Sequence, residues 1–196
     1  DEVCFLLKEY GFNVEGVFSH LRDGTSAQKA LFDECADIVK RFYPQAISHL
    51  ASSHSMHDEE LRYDMVRAGI CAYSGAMSVF SQVVETRRLK AGDIVGYGGD
   101  PLKKDTNVAY IFGGYADGIC RENPSGVRIN GRYCKAVGIA CMDVFAVDTE
   151  EYEAQIGEEV VLFDGGTALQ AANERKTVEY CVYTAFSRSR SVCKKI

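Results

Sequence analysis

A tyrosine that lies among glycines at residues 113–118 is the first candidate for chemistry. The motif is Gly-Gly-Tyr115-Ala-Asp-Gly, and it directly follows the apolar run VAYIF. Glycines at the end of a strand permit a tight turn and a close approach of the backbone to a ligand. A structural turn with an incidental tyrosine is the alternative that this motif alone leaves open.

Three more motifs place functional groups beside predicted strands. Arg67 lies in the apolar run VRAGI, where a charge is costly unless it is paired or bound to a ligand. Ser53 follows a short strand, and a small hydroxyl residue there suits a phosphate group. Met142 lies in Cys-Met-Asp at the end of another predicted strand. The structural alternatives are an edge arginine that reaches solvent, a loop serine and a core methionine.

The composition favours a globular protein and weighs against several partners. The chain has 196 residues, of which 46% are hydrophobic and 26% charged. Its net charge of -6 argues against nucleic acid, because phosphate binding needs clustered Lys and Arg. No apolar run reaches the roughly 18 residues of a membrane span, and the N-terminus lacks the basic region of a signal peptide. We therefore expect a cytoplasmic protein with no membrane partner.

The cysteines and histidines indicate neither disulfides nor a metal site. There are eight cysteines and four histidines, without a Cys-x-x-Cys pair or a Cys/His cluster at metal-ligand spacing. Because no export signal is visible, the sequence predicts reduced thiols.

Two kinds of secondary structure must position these residues. Apolar spacing predicts helices over residues 2–10 and 26–43, with short strands over 14–21, 46–50 and 65–73. This alternation is typical of a parallel sheet or barrel. From residue 78 onward, runs rich in Val, Ile, Phe and Tyr separated by glycine turns predict a mostly antiparallel β domain. A helical segment over 167–175 and a strand over 178–186 complete the expected elements.

The order and spacing of these motifs resemble the alanine racemase family. The most specific pieces are GYADG at 114–118, VRAGI at 66–70 and LKAGDIVGYGG at 89–99, and the resemblance extends from about Gly16 to the C-terminus. It implies that residues 1–75 are the last part of a (β/α)8 barrel that binds the cofactor. Residues 76–196 would be the β-rich C-terminal domain.

The resemblance also implies an activity, which is interconversion of L- and D-alanine with pyridoxal 5′-phosphate, a step in D-alanine biosynthesis for the cell wall. Tyr115 would serve one face of the substrate Cα and a cofactor-bearing lysine the other. The resemblance implies that Arg67, oriented by His49, contacts the pyridine nitrogen. It also implies that Met142 binds the substrate carboxylate. The implied phosphate ligands are Ser53, Gly69, Ile70 and Tyr180.

The family's assembly is a head-to-tail homodimer in which the partner supplies the tyrosine. Here the stretch that carries the family's lysine, similar to VKANAYGHG, is absent. We therefore expect a chain that lacks the N-terminal barrel segment and is inactive without it. Smaller departures are Ile139, where the family has arginine, and Gly131-Arg132-Tyr133-Cys134-Lys135, where a proline is usual.

Two other functions stay open at this stage. One is a serine or broad-specificity racemase, although relatives of that kind tend to carry asparagine at the position of Tyr180, which favours alanine. The other is a half-protein that binds pyridoxal phosphate without catalysis. Retention of Tyr115 with Arg67 and Ser53 argues against it.

Overall fold

Helices and short parallel strands alternate over Asp1–Tyr73 in the computed structural model, which describes residues 1–22 and 26–186. The elements are α1 (Glu2–Glu9), β1 (Gly16–Phe18), α2 (Ser26–Phe42), β2 (Ile47–His49) and the single turn α3 (Glu59–Arg62). The two strands pair in parallel, with Phe18 opposite His49. Both predicted helices and the first two predicted strands are confirmed, although the strands are shorter than expected.

The core of this unit lies between α2 and the segment that follows β2. Phe32 and Ala36, one helical turn apart, present the buried face of α2 to Leu50, Ala51 and Leu61. The segment directly after β2 is thereby packed against a helix.

The strand predicted over residues 65–73 is wrong. Arg67 forms only a single parallel bridge to Ser52, and a 3-10 helix follows at Ile70–Ala72. The physical reason is that the N–H groups of Gly69 and Cys71 turn towards the Ser53 hydroxyl, at 2.8 Å and 3.4 Å, instead of a neighbouring strand.

The second unit, Ser74–Ile196, is built on a closed barrel of six antiparallel strands. They are β3 (Val79–Leu89), β4 (Thr106–Phe112), β5 (Val127–Ile129), β6 (Arg132–Val137), β7 (Val144–Asp148) and β8 (Glu159–Phe163). Their order around the barrel is β3-β4-β7-β6-β5-β8, and pairing of β8 with β3 closes it. The mostly antiparallel β domain that the sequence predicts is confirmed. Closure removes the free strand edges that an open sheet would expose.

Alternate residues of these strands fill the barrel. Val83, Ile111, Ile129, Val147 and Val160 are all essentially inaccessible to solvent. A tightly packed interior of this kind fixes the positions of the strand ends. The connecting loops therefore begin at fixed positions.

Two helices follow the barrel, and one of them corrects the sequence analysis. Helix α4 (Ala168–Glu174) agrees with the helix predicted over 167–175. The strand predicted over 178–186 is wrong, because Glu179–Ala185 form helix α5. The barrel is already closed and offers this segment no partner strand. Val182 is instead fully buried beside Phe163, and burial decides the conformation over the weak strand preference of Val and Tyr.

The motif Cys141-Met142-Asp143 also lies elsewhere than expected. It does not end a strand but directly precedes β7, four residues after β6 ends.

Other global features concern only the described residues. No helix among them has the length and apolarity needed to cross a bilayer. They hold no cluster of three or more His, Cys, Asp or Glu side chains arranged for a metal ion. Their seven cysteines are free thiols, and Cys193 lies outside the described residues.

Candidate active site

The Arg67 guanidinium is anchored at the end of β2 by neutral acceptors. Its Nη1 lies 2.8 Å from His49 Nδ1 and donates to His49 O at 3.0 Å. Its Nη2 donates to Ser19 O at 2.7 Å and to Leu50 O at 3.2 Å. A guanidinium has five N–H groups, so these contacts account for four and leave the Nε–H without an acceptor among the described residues. No carboxylate in that part of the chain pairs with Arg67.

The local backbone explains why Arg67 is placed here. Arg67 N donates to Ala51 O at 3.0 Å, and the parallel bridge to Ser52 aligns residue 67 with the segment just beyond β2. Phe18 stacks on the His49 ring at 5.2 Å and also lies 5.6 Å from the Arg67 guanidinium carbon. Phe18 therefore covers one face of the imidazole, while Arg67 contacts the edge of that ring at Nδ1.

The charge and tautomer of His49 follow from these contacts. Because a guanidinium only donates, His49 Nδ1 accepts and the imidazole carries its proton on Nε2. Burial, and secondly the positive charge of Arg67, lower the pKa of His49 below its usual value. The pair therefore consists of a permanent cation and a neutral imidazole near neutral pH.

Ser53 forms a small cluster of donors with the 3-10 helix Ile70–Ala72. The buried hydroxyl oxygen accepts from Gly69 N at 2.8 Å and Cys71 N at 3.4 Å. Ile70 is the first residue of the 3-10 helix, so its N–H has no acceptor within that helix. The structure brings Ser53, Gly69 and Ile70 together, but the Gly69 N–H, expected to bind phosphate, already donates to Ser53 Oγ, so the Ile70 N–H and the Ser53 hydroxyl are the donors left for an anion.

The Tyr115 loop begins where β4 ends and is fastened to residues 141–143. Gly113 N donates to Asp143 O at 2.7 Å, Tyr115 N to Cys141 O at 3.0 Å and Ala116 N to Met142 O at 3.2 Å. Tyr115–Asp117 form a 3-10 helix, and Asp117 Oδ2 accepts from Gly114 N at 3.0 Å. Tyr115 and Met142, two residues predicted for the site, are thus brought together on this unit.

Gly114 makes this close approach possible. A Cβ at residue 114 would lie well under 3.0 Å from Cys141 O and from the Met142 carbonyl group. Tyr115 and Met142 both keep about half of their surface exposed, at 44% and 50%. Tyr115 is thus partly exposed to solvent, while the backbone of its loop is held by hydrogen bonds to residues 141–143.

Tyr180 lies on α5, and the far end of that helix contacts the same loop. Gly118, with φ +103°, is packed directly against the carbonyl of Ala185, the last residue of α5. Tyr180 itself is 42% exposed. The helix that carries Tyr180 and the loop that carries Tyr115 are therefore packed together, although no strand runs through residue 180.

Sequence reasoning missed three residues that support these groups. They are Phe18, which stacks on His49; Ser19, whose carbonyl binds Arg67; and Arg175, which is buried behind the Tyr115 loop. Arg175 donates to Ser125 Oγ at 3.2 Å and to Gly118 O at 3.4 Å, and burial lowers its pKa. Backbone carbonyl acceptors have no sequence signal, and Arg175 follows Asn173 and Glu174 in a mixed helical segment that gives no sign of its burial.

The site and fold together define a two-part protein. An α/β unit carries a guanidinium–imidazole pair beside a cluster of hydroxyl and amide donors, and an antiparallel barrel carries an exposed tyrosine on a fixed loop.

Comparison with known sequences identifies the family of this two-part protein. The profile described as "Alanine racemase, C-terminal domain" matches residues 76–193, and the profile described as "Alanine racemase, N-terminal domain" matches residues 1–76. The chain belongs to the alanine racemase family. It is 31% identical to the alanine racemase of Thermodesulfovibrio yellowstonii over 88% of this chain and 53% of that protein. It is 36% identical to that of Mycobacterium avium over 71% of this chain and 42% of the relative.

Solved structures show the same fold. The alanine racemase of Clostridium difficile 630 is 27% identical, with a TM-score of 0.77 over 96% of this chain and 58% of that one. The alanine racemase of Streptomyces coelicolor is 24% identical, with a TM-score of 0.82 over 95% of this chain and 58% of that one, and it is evidence for the fold alone. The chain spans about half the length of the curated relatives that it matches.

Proposed function

We propose that this chain provides part of an alanine racemase that interconverts L- and D-alanine with pyridoxal 5′-phosphate. Residues 1–75 would form the last part of its (β/α)8 barrel and residues 76–196 its β domain. The observation that carries the proposal is the Arg67 guanidinium, which neutral acceptors hold through four of its N–H groups while Nε–H is left over.

The donor set of the α/β unit fits the cofactor. Arg67 Nε–H would donate to the pyridine nitrogen, and because a guanidinium does not give up its proton, that nitrogen would stay unprotonated. The Ser53 hydroxyl and the Ile70 N–H would bind the phosphate, since hydroxyl and backbone N–H groups are good anion donors. His49 would hold the guanidinium in place. Tyr180 would add its phenol to the phosphate site.

Proton transfer would belong to Tyr115. The bound cofactor would supply an electron sink that makes removal of the Cα proton feasible. The Tyr115 phenol would hold or release the proton on one face of Cα, and the Met142 N–H would bind the substrate carboxylate. The opposite face requires an amine, which the resemblance gives to a lysine in a segment that these residues do not include.

The assembly that this requires has two further parts. A second copy of the chain, head to tail, would place its Tyr115 at the first copy's Arg67. A lysine-bearing barrel segment would complete each site, and without it we expect no racemisation.

A completion assay tests the proposal. The 196-residue chain is mixed with pyridoxal phosphate and with the N-terminal barrel segment of the Thermodesulfovibrio yellowstonii relative, and D-alanine formed from L-alanine is measured by chiral chromatography. We expect D-alanine only when both polypeptides are present, and much less of it with Tyr115→Phe. L-serine serves as the competing substrate. Cofactor binding without racemisation of either amino acid would overturn the proposal in favour of a non-catalytic binding protein.

A further inference from the structure

Asp64 makes a reciprocal contact with the strand that carries His49. Asp64 N donates to Ser48 O at 3.0 Å, and Ser48 N donates back to Asp64 Oδ2 at 2.7 Å. The same oxygen accepts from Lys40 Nζ on α2 at 2.9 Å. The Ser48 N–H first, and then Lys40, lower the pKa of Asp64 and keep the carboxylate charged. One side chain therefore joins the segment before Arg67 both to β2 and to α2.

The location of this contact decides where Arg67 lies. Ser48 immediately precedes His49, and Asp64 is three residues before Arg67. Three residues span at most about 10 Å, so little slack remains between the Asp64 contact and the Arg67 guanidinium. A shift of residues 64–67 by one position along β2 would withdraw Nη1 from His49 Nδ1.

The backbone just before Asp64 shows that the segment needs such an anchor. Tyr63 has φ +48°, a left-handed conformation that is uncommon for a bulky residue. Its hydroxyl donates to Asp33 on α2 at 2.5 Å. A residue held in an unfavourable conformation persists only when surrounding contacts hold it there, and the Asp64–Ser48 contact lies at the next residue.

We propose that Asp64 is a positioning residue whose carboxylate, by binding Ser48 N–H, sets the register of residues 64–67 on β2 and so holds the Arg67 guanidinium against His49. Its importance for racemisation rests on the proposed function. The effect on the guanidinium–imidazole pair does not, because both groups belong to the described chain.

Two substitutions of Asp64 separate position from charge. Asp64→Asn removes the negative charge but keeps an oxygen that accepts from Ser48 N–H, whereas Asp64→Ala removes both. The probe is the pKa of His49, measured by NMR titration of the imidazole C2–H in the 196-residue chain without cofactor and assigned with His49→Gln. Loss of the Arg67 cation from its place relieves the repulsion that opposes protonation. We therefore expect a higher His49 pKa in Asp64→Ala than in Asp64→Asn.

Amide hydrogen exchange gives a second measurement that does not depend on the alanine variant. Asp64→Glu keeps the charge but displaces the acceptor by one methylene, so exchange at the Arg67 amide should become about tenfold faster, as expected for loss of one charge-assisted hydrogen bond. Lys40→Met removes only the ion pair and should leave that rate within about twofold, because exposed ion pairs contribute little. Equal His49 pKa values in the alanine and asparagine variants, or an unchanged Arg67 exchange rate in Asp64→Glu, would overturn the positioning role whatever the chain catalyses.

Discussion

Replacing Gly114 with alanine is expected to detach the Tyr115 loop from residues 141–143. The new Cβ would overlap the carbonyl groups of Cys141 and Met142, which are backbone atoms that cannot rotate away. Gly114 has φ -141°, an extended conformation open to any residue, so alanine suffers no backbone penalty there. The whole effect must come from the contact.

The size of the effect follows from the bonds that hold the loop. Three backbone hydrogen bonds join residues 113–116 to residues 141–143. At roughly 1 kcal/mol each, their loss lowers the free energy of unfolding by about 3 kcal/mol, within the range measured for overpacked sites.

Gly131→Ala is the matched control. Gly131 has φ +74° but nothing lies within 4 Å of the Cβ position, so alanine there meets only backbone strain of about 1 kcal/mol. Urea denaturation of the full chain, followed by tyrosine fluorescence because the sequence has no tryptophan, measures both variants. A Gly114→Ala variant that is no less stable than Gly131→Ala would refute the claim that close backbone packing fixes the loop.

Three further outcomes are expected. Val182→Ala should lower the free energy of unfolding by about 2 kcal/mol, because Val182 is fully buried. Val178 is exposed, so Val178→Ala should change that free energy by less than about 0.5 kcal/mol in the same urea titration. The pKa of His49 is lower in the folded chain than its ordinary 6.5, so the unfolded state binds the proton more readily. The free energy of unfolding should therefore fall as the pH decreases below about 6.5, and it should fall less in His49→Gln. Tyr115→Phe should reduce racemisation by the completed enzyme in both directions while the dissociation constant for pyridoxal phosphate stays nearly constant, as equilibrium dialysis would show.

Part of the fold could be predicted from the sequence because its signals are local. Helical spacing of apolar residues located α1 and α2, and glycine-separated runs of Val, Ile and Phe located the barrel strands. The segment 178–186 has the same residue types as those strands, yet it is helical. Its conformation depends on a barrel that is already closed and on the pocket beside Phe163 that receives Val182, and neither is visible in nine residues of sequence.

The candidate site, like the fold, could be predicted only in part from the sequence. The motifs around Arg67 and Tyr115 identify residue types whose chemistry is unusual for their surroundings. Three of the four acceptors of Arg67 are backbone carbonyls, those of Ser19, His49 and Leu50, and every residue possesses such a group. Their role depends on the parallel pairing of β1 with β2, so it is determined by tertiary structure and leaves no trace in residue identity.

The electrostatics of the α/β unit support the proposal that proton transfer belongs to the barrel loop. A guanidinium only donates hydrogen bonds, and the described acceptors of Arg67 are neutral dipoles with no carboxylate among them. Burial, and secondly repulsion by Arg67, lower the pKa of His49 and keep the imidazole neutral near neutral pH, so the pair carries one positive charge. The pair is therefore suited to donating a hydrogen bond to an unprotonated ring nitrogen and unsuited to exchanging protons with it. Under the proposed function the proton-transfer step would belong to Tyr115, which combines a hydroxyl group, 44% exposure and a loop backbone that is hydrogen-bonded to residues 141–143.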